Sequence, residues 1–184
     1  QRHVEAAQMG GPDKVAIQHA KWKLTVLERI DQLLDAGSFY EIGGLSGKGA
    51  YDEQGRLQGF VPANSRFGRG RIDGRPVVVS GDDFTVRGGS ADAAIHEKLV
   101  QSEQMANELR IPLIRLLAGS GGCGSVKTLE MAGYTYVPAL VGWKWVTANL
   151  STVPVVALGL GPVAGLGAAR LVSSHYSLLL RRLG

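Results

Sequence analysis

Apolar positions along the chain fall into a few well-separated patterns. Between Lys14 and Asp35, Leu24, Leu27, Ile30, Leu33 and Leu34 recur at helical spacing, so the segment KVAIQHAKWKLTVLERIDQLLD reads as one amphipathic helix that starts near Asp13 and stops at AGS. Phe39 to Arg75 is glycine-rich and weakly patterned. Turn signals at EQGR, NSRFGRG and DGR predict loops and short hairpins there rather than a second core. RPVVVSGDDFTVRGGS reads as two short strands broken at SGDD and closed by a Gly-Gly-Ser turn. Ser90 is then placed to cap the helix ADAAIHEKLVQSEQMANELR, whose expected buried stripe is Ile95, Leu99, Met105 and Leu109.

Two later stretches stand out. Ile111–Gly124 (IPLIRLLAGSGGCG) and Val153–Arg170 (VPVVALGLGPVAGLGAAR) are each an apolar run that ends in a glycine cluster and leads into a helix-compatible segment. Strand, turn, helix is thus predicted twice. At such turns glycine lets backbone amides lie bare and close to a ligand, and the following helix start favours negative charge. Tyr134–Asn149 is aromatic-rich and expected to be partly helical, with interruptions near Pro138 and Gly142. HYSLLL is expected to be a further strand.

Composition changes little in this picture. At 184 residues with 45% hydrophobic content, one globular domain with an N-terminal appendage is expected. Twenty basic and sixteen acidic residues give a formal charge of +4. The excess is Lys144, Arg170, Arg181 and Arg182, which form no dense patch with interleaved aromatics, so nucleic acid is not an expected partner. Arg66, Arg69, Arg71 and Arg75 invite comparison with a phosphate clamp, against the plainer reading of a solvated loop. The single cysteine, Cys123, excludes an intrachain disulfide and fits a reducing compartment. No signal peptide is visible, and the uncharged stretch Thr147–Ala169 reads as buried strand and turn rather than as a membrane span. A start without Met and an end at LLLRRLG lead us to expect a piece of a longer protein.

Three familiar signatures fail on particular residues. Gly121–Thr128 approximates a P-loop, but Val126 stands where its second glycine belongs. Gly159, Gly161 and Ala164 fit a dinucleotide pattern, yet Pro162 intrudes and no acidic residue follows Glu130. A triad built on Ser120 with His96 or His175 lacks the nucleophile-elbow spacing. No His, Cys or carboxylate cluster has metal-ligand spacing, so no metal is expected. What survives is chemistry carried by backbone amides: an oxyanion hole, most naturally for the enolate of a thioester.

The segments KWKLTVLERIDQLLDAGSFYEIGG and GRGRIDGRPVVVSGDDFTVRGGS, together with the Ser-Gly-Gly turn, resemble the N-terminal half of the carboxyltransferase (beta) subunit of biotin-dependent acyl-CoA carboxylases, of the propionyl-CoA and methylcrotonyl-CoA type. The likeness runs from about Val15 to Ser177, and DFTVRGGS is its most specific block. VPVVAL followed by GPVAGLG resembles the strand-turn-helix of the wider crotonase superfamily. The resemblance implies an α/β fold, a crotonase (ClpP-like) spiral of repeated β-β-α units with an N-terminal helix. It divides the chain into a helical appendage, residues 1–37, and a carboxyltransferase domain, residues 38–184, expected to be truncated. The implied activity is transfer of a carboxyl group from carboxybiotin to the α-carbon of an acyl-CoA, with a released biotin anion as base.

By the same resemblance, Gly121 and Gly122 present amides to the thioester oxygen, and Gly165 matches the first glycine of the family's Ala-Gly-Gly turn. Arg87, Gly88, Gly89 and Ser90 match the turn beside the CoA site. Implied partners are an acyl-CoA, a biotin carboxyl carrier or biotin carboxylase subunit, and further carboxyltransferase subunits in a homo-oligomer. The implied compartment is cytoplasmic, or the mitochondrial matrix in a eukaryote. The chain departs from the family at Cys123–Thr128, which replaces Ala-Arg-x-Gln-Glu-Gly, and at Leu166, which replaces a second glycine. It also lacks a counterpart of the second half that supplies the biotin side. The zinc-binding cysteines of the bacterial acetyl-CoA type are absent, which points to the propionyl-like branch. Two other classes stay open: a non-catalytic remnant that assembles with a full-length subunit, and a free-standing hydratase or isomerase with Glu130 as its carboxylate.

Overall fold

The computed structural model describes residues 2–90, 95–119, 129, 130, 133 and 140–180. Three helices open the chain: α1 (Arg2–Ala7), α2 (Pro12–Ala20) and α3 (Val26–Leu33). The single helix expected over 14–35 is therefore two. Trp22 takes a positive φ of 56° and ends the first. Thr25 restarts the second with a capping box: its Oγ1 accepts from Glu28 N at 3.3 Å, and Glu28 Oε2 accepts from Thr25 N at 2.7 Å.

Strand β1 (Tyr40–Glu41) is followed by a separate hairpin, β2 (Gly47–Tyr51) with β3 (Leu57–Pro62). Next come β4 (Ser65–Ile72) and β5 (Arg75–Asp82), joined by the tight turn Asp73-Gly74, in which both φ values are positive. Asp35 accepts both amides of this turn, at 2.9 and 2.8 Å, and so fastens the end of α3 to it. β4 overturns the loop expectation for NSRFGRG. Its glycines are not turn residues but contact residues: a Cβ on Gly68 would strike Tyr40 O of β1, and one on Gly70 would strike Leu34. β5 likewise runs unbroken through Ser80-Gly81-Asp82, while Phe84–Val86, expected to be strand, is turn.

The remaining elements are α4 (His96–Leu109), β6 (Leu113–Gly119), α5 (Trp143–Asn149), β7 (Val155–Val163), α6 (Leu166–Val172) and β8 (Tyr176–Leu179). β7 reaches into the predicted turn as far as Val163. Six strands form the main sheet in the order β1-β4-β5-β6-β7-β8, antiparallel as far as β5 and parallel from β5 to β8. α3 covers one face, packing Val26, Ile30 and Leu34 on Val77, Val79, Ile114 and Leu116. The other face packs Val78, Leu113, Val153 and Val155 against Ala106 of α4, and Leu171 of α6 joins Leu117 and Ala157. Burying each large side chain of this kind contributes about 1.5–3 kcal/mol. A parallel β5-β6-β7 core buried on both faces explains why IPLIRLL and VPVVAL are continuous apolar runs.

Candidate functional site

In parallel sheets, ligands sit beyond the carboxyl ends of the strands, and here three such ends converge. Main-chain pairing of β5 with β6 stops at Gly81–Leu116. The chain then turns through Asp83–Val86 into Arg87, Gly88 and Gly89, whose φ values of 50°, 64° and 64° are all left-handed. Gly89 rests on the end of β6: a Cβ there would lie 2.6 Å from Ala118 O and 2.9 Å from Gly119 Cα. Across β6, Gly119 pairs with Val163 of β7, two residues before Gly165. Gly165, with φ 57° and ψ −130°, has a backbone conformation that essentially only glycine adopts, and it hands the chain to α6.

Gly89 thus lies against Gly119, the residue that precedes the Ser-Gly-Gly sequence, and Gly165 lies at the same sheet edge. Gly121, Gly122 and the divergent Cys123–Thr128 lie outside the described residues. Ser90 is extended, and its carbonyl accepts from Asn64 Nδ2 at 2.6 Å. The helix expected to start on Ser90 is described from His96 onward, with Ile95 at its N-cap and no side-chain cap.

A buried polar layer supports this edge. Asp83 is fully buried, its Oδ1 accepting from Thr85 N at 3.0 Å and from Thr85 Oγ1 at 2.5 Å. Burial pushes its carboxyl above the usual range, opposed by the Thr85 hydrogen bonds and by Arg66 and Arg29. Thr85 Oγ1 in turn accepts from Gly10 N at 2.9 Å, so the segment between α1 and α2 is clasped to the turn. Asp82, partly exposed, accepts from Ala118 N at 3.1 Å. Burial raises its pKa, and the charges of Arg170 and Arg29 pull it back.

Beneath α4 lies a cluster that the apolar periodicity did not reveal. Arg115, a fully buried cation in the middle of β6, makes a two-pronged contact with Glu103: Nε to Oε1 and Nη2 to Oε2, both 2.8 Å. Arg170 Nη2 donates to the same Oε1 at 2.8 Å, and Asn149 Nδ2 donates to Oε2 at 3.0 Å. Arg115 Nη1 reaches the carbonyls of Arg170 and Ser173. The buried residues of α4 include Lys98, Ser102, Glu103 and Ala106, whereas Leu109 of the expected stripe is 48% exposed. A charged residue inside the otherwise apolar run IPLIRLL was the available signal for Arg115. Nothing comparable marked Glu103.

The four arginines of residues 66–75 form no clamp. Arg66 is buried, donating to Glu41 Oε1 at 3.0 Å and to Ala6 O, while Arg69, Arg71 and Arg75 are exposed. Lys98 Nζ stands 3.6 Å from the same Glu41 oxygen, and burial brings its pKa down to about 8. His175 is occupied structurally: Nδ1 accepts from Val155 N at 3.0 Å and Nε2 lies 2.9 Å from Leu150 O. Glu130 is exposed. Beside the Arg87–Gly89 turn, an open cleft of about 450 Å³ is lined by Glu5, Met9, Lys14, Phe60, Thr85 and Arg87, among others. Arg2 lies over Tyr51 and Phe60, 5.4 and 5.8 Å from the ring centres. Among the described residues no group of three or more His, Cys, Asp or Glu is arranged to hold a metal ion, and no helix is long and apolar enough to cross a membrane.

Comparison with known proteins places this edge in context. The model of the carboxyl transferase domain matches residues 17–170. The propionyl-CoA carboxylase beta chain of Saccharopolyspora erythraea is 34% identical over 173 residues, covering 89% of this chain and 29% of the relative. The human mitochondrial propionyl-CoA carboxylase beta chain is 36% identical over 164 residues, covering 85% of this chain and 28% of its own length. The chain therefore spans under a third of these relatives. Among solved structures, the hexameric transcarboxylase 12S with methylmalonyl-coenzyme A and methylmalonic acid bound superposes with a TM-score of 0.73 at 28% identity, over 97% of this chain and 34% of that one. A single-chain, multi-domain long-chain acyl-CoA carboxylase at 23% identity gives the same TM-score and shares the fold. The fold is crotonase-like, and with the matched span running from α2 through α6 the chain belongs to the carboxyl transferase domain family.

Proposed function

We propose that this chain is the acyl-CoA-binding part of a carboxyltransferase that moves a carboxyl group from carboxybiotin to the α-carbon of an acyl-CoA. The observation that carries the reading is the packing of Gly89 on Gly119, with Gly165 at the end of the neighbouring strand, in a chain of this family. In this reading the amides of Gly121 and Gly122, and that of the Gly165 turn, receive the thioester oxygen as it gains charge on loss of the α-proton. One such donor is worth about 2.7–4 kcal/mol of transition-state stabilisation. The Arg87–Ser90 turn and the cleft beside it take the CoA portion, with Arg87 and Lys14 as cations for its phosphates. Carboxybiotin, borne by a partner carrier, supplies the carboxyl group and, once that is released, the base.

Residues 38–184 form the carboxyltransferase unit in this proposal, with α1–α3 laid on it, and the biotin side belongs to a further domain or subunit. The propionyl-CoA carboxylases and the CoA-bound hexameric transcarboxylase support acyl-CoA, biotin carrier and homo-oligomer as partners. A cytoplasmic compartment, or the mitochondrial matrix in a eukaryote, is part of the same proposal. The test is hydrogen exchange with propionyl-CoA. We expect slowed exchange at Gly88, Gly89, Gly119 and Gly165, and a chain that no acyl-CoA protects would overturn the reading. A second reading, a non-catalytic piece that assembles with a full-length subunit, is favoured by the exposed apolar residues Leu178, Leu179 and Leu180 at β8. Native mass spectrometry separates the two, because such a piece binds a carboxylase subunit but no CoA ester.

A further inference from the structure

The sheet edge contains an unusual hand-over. Where main-chain pairing between β5 and β6 ends at Gly81–Leu116, the next hydrogen bond across the strands is made by a side chain, Asp82 Oδ2 accepting from Ala118 N at 3.1 Å. A carboxylate thus stands in for the strand carbonyl that β5, already turning away, no longer offers. Its surroundings join every segment at the edge. A Cβ on Gly119 would lie 3.6 Å from Asp82 Oδ2 and 2.8 Å from Gly89 O, so Asp82, Gly89 and Gly119 meet at one point. The charged groups acting on Asp82 are Arg170 from α6, Arg29 from α3 and the adjoining Asp83. Arg29 also donates to Leu160 O of β7 at 3.3 Å, and Arg170 follows the Gly165 turn by five residues.

We propose that Asp82 is a positioning residue: by holding Ala118 N–H it fixes the carboxyl end of β6, Ala118–Gly119, against Gly89 at the edge where the acyl-CoA is bound. This rests on the function proposed above. Asp82 need not touch the ligand, and it takes no proton from it. What matters is the location of its acceptor atom. A longer side chain with the same charge moves that atom, while an amide of the same shape keeps an acceptor there and loses the charge.

The test uses the isotopically labelled 184-residue chain with Asp82→Asn and Asp82→Glu. Propionyl-CoA affinity is read by calorimetry, and the Ala118 and Gly119 amides by NMR and hydrogen exchange. Asp82→Asn is expected to bind within threefold of the parent, with Ala118 exchange unchanged. Asp82→Glu is expected to bind at least tenfold more weakly, with Ala118 and Gly119 exchanging at least tenfold faster while the urea midpoint of the whole chain stays put. In the parent, the Ala118 amide shift should follow the titration of Asp82, and in Asp82→Asn it should be flat. The reverse order, with Glu retaining affinity and Asn losing it, means that charge rather than position matters and overturns the proposal. Unchanged Ala118 exchange in Asp82→Glu also overturns it. If the parent binds no acyl-CoA, the functional reading falls by itself, and the amide measurements still decide what Asp82 holds in place.

Discussion

One carboxylate, Glu103, is shared by the two buried guanidiniums of Arg115 and Arg170, so its loss should be among the most damaging substitutions in the molecule. Glu103→Ala leaves Arg115 and Arg170 without their ion pair and is expected to cost about 3–5 kcal/mol, read as a lower urea midpoint. Although burial pushes the Glu103 carboxyl up, Arg170 and Arg115 outweigh it and hold the pKa below its ordinary 4.5. A depressed carboxylate contributes stability above its unfolded pKa, and that contribution is lost as pH falls below about 4.5 and through the folded value. Lys98 has the opposite slope. With a folded pKa of about 8 against 10.5, the unfolded chain binds more protons between these values, so stability should rise with pH across that window. In Lys98→Met the rise should vanish, as measured by denaturation at pH 7.5 and 10. Reading periodicity along α4 missed both residues for one reason. The rule assumes that the buried face is apolar, and this face is buried because its charges are paired.

At the scale of elements, the closest packing falls on glycines. Gly89→Ala forces a Cβ onto Ala118 O in a left-handed backbone, so the turn must lift off β6. We expect a loss of about 1–3 kcal/mol in stability, by urea titration, together with loss of acyl-CoA binding. Thr25→Ala removes one half of the α3 capping box and should cost about 1 kcal/mol, with faster amide exchange over Val26–Glu28 as the local readout. β6 and β7 were legible because long apolar runs that end in glycine leave little choice of structure, α6 because a Gly-led segment follows one of them, and β8 because the short apolar run HYSLLL follows that helix. β4 was illegible because glycine signals two opposite things, a turn or a close approach. Only the three-dimensional neighbours Tyr40 and Leu34 show that the second applies. The break between α2 and α3 was readable in Thr25-x-x-Glu28, a capping box inside an apparently continuous helical pattern. At the site, the described glycine turns at Arg87–Gly89 and Gly165 were visible from sequence. The carboxylates and guanidiniums supporting them were not, since they come from four separate elements.

Across the whole molecule, the sheet is closed unevenly. On the β1 side it is braced by Glu41, Arg66 and Lys98, whereas β8 leaves Tyr176 at 59% and Leu179 at 63% exposure on an edge strand. Such an edge invites pairing. The isolated chain should therefore associate as its concentration rises, and Leu179→Lys should shift its sedimentation toward monomer without changing the urea midpoint by more than about 0.5 kcal/mol. The clasp at the other end of the molecule has a different consequence. Because Gly10 N–H is anchored on Thr85, and Thr85 on Asp83, the docked N-terminus and the ordered Asp83–Gly89 turn are two sides of one equilibrium. Linkage makes their influence mutual: whatever factor a ligand at the turn adds to N-terminal docking, docking returns to the ligand. Resistance of residues 1–11 to an aminopeptidase thus becomes a thermodynamic gauge of a site whose cleft Glu5 and Met9 help to line.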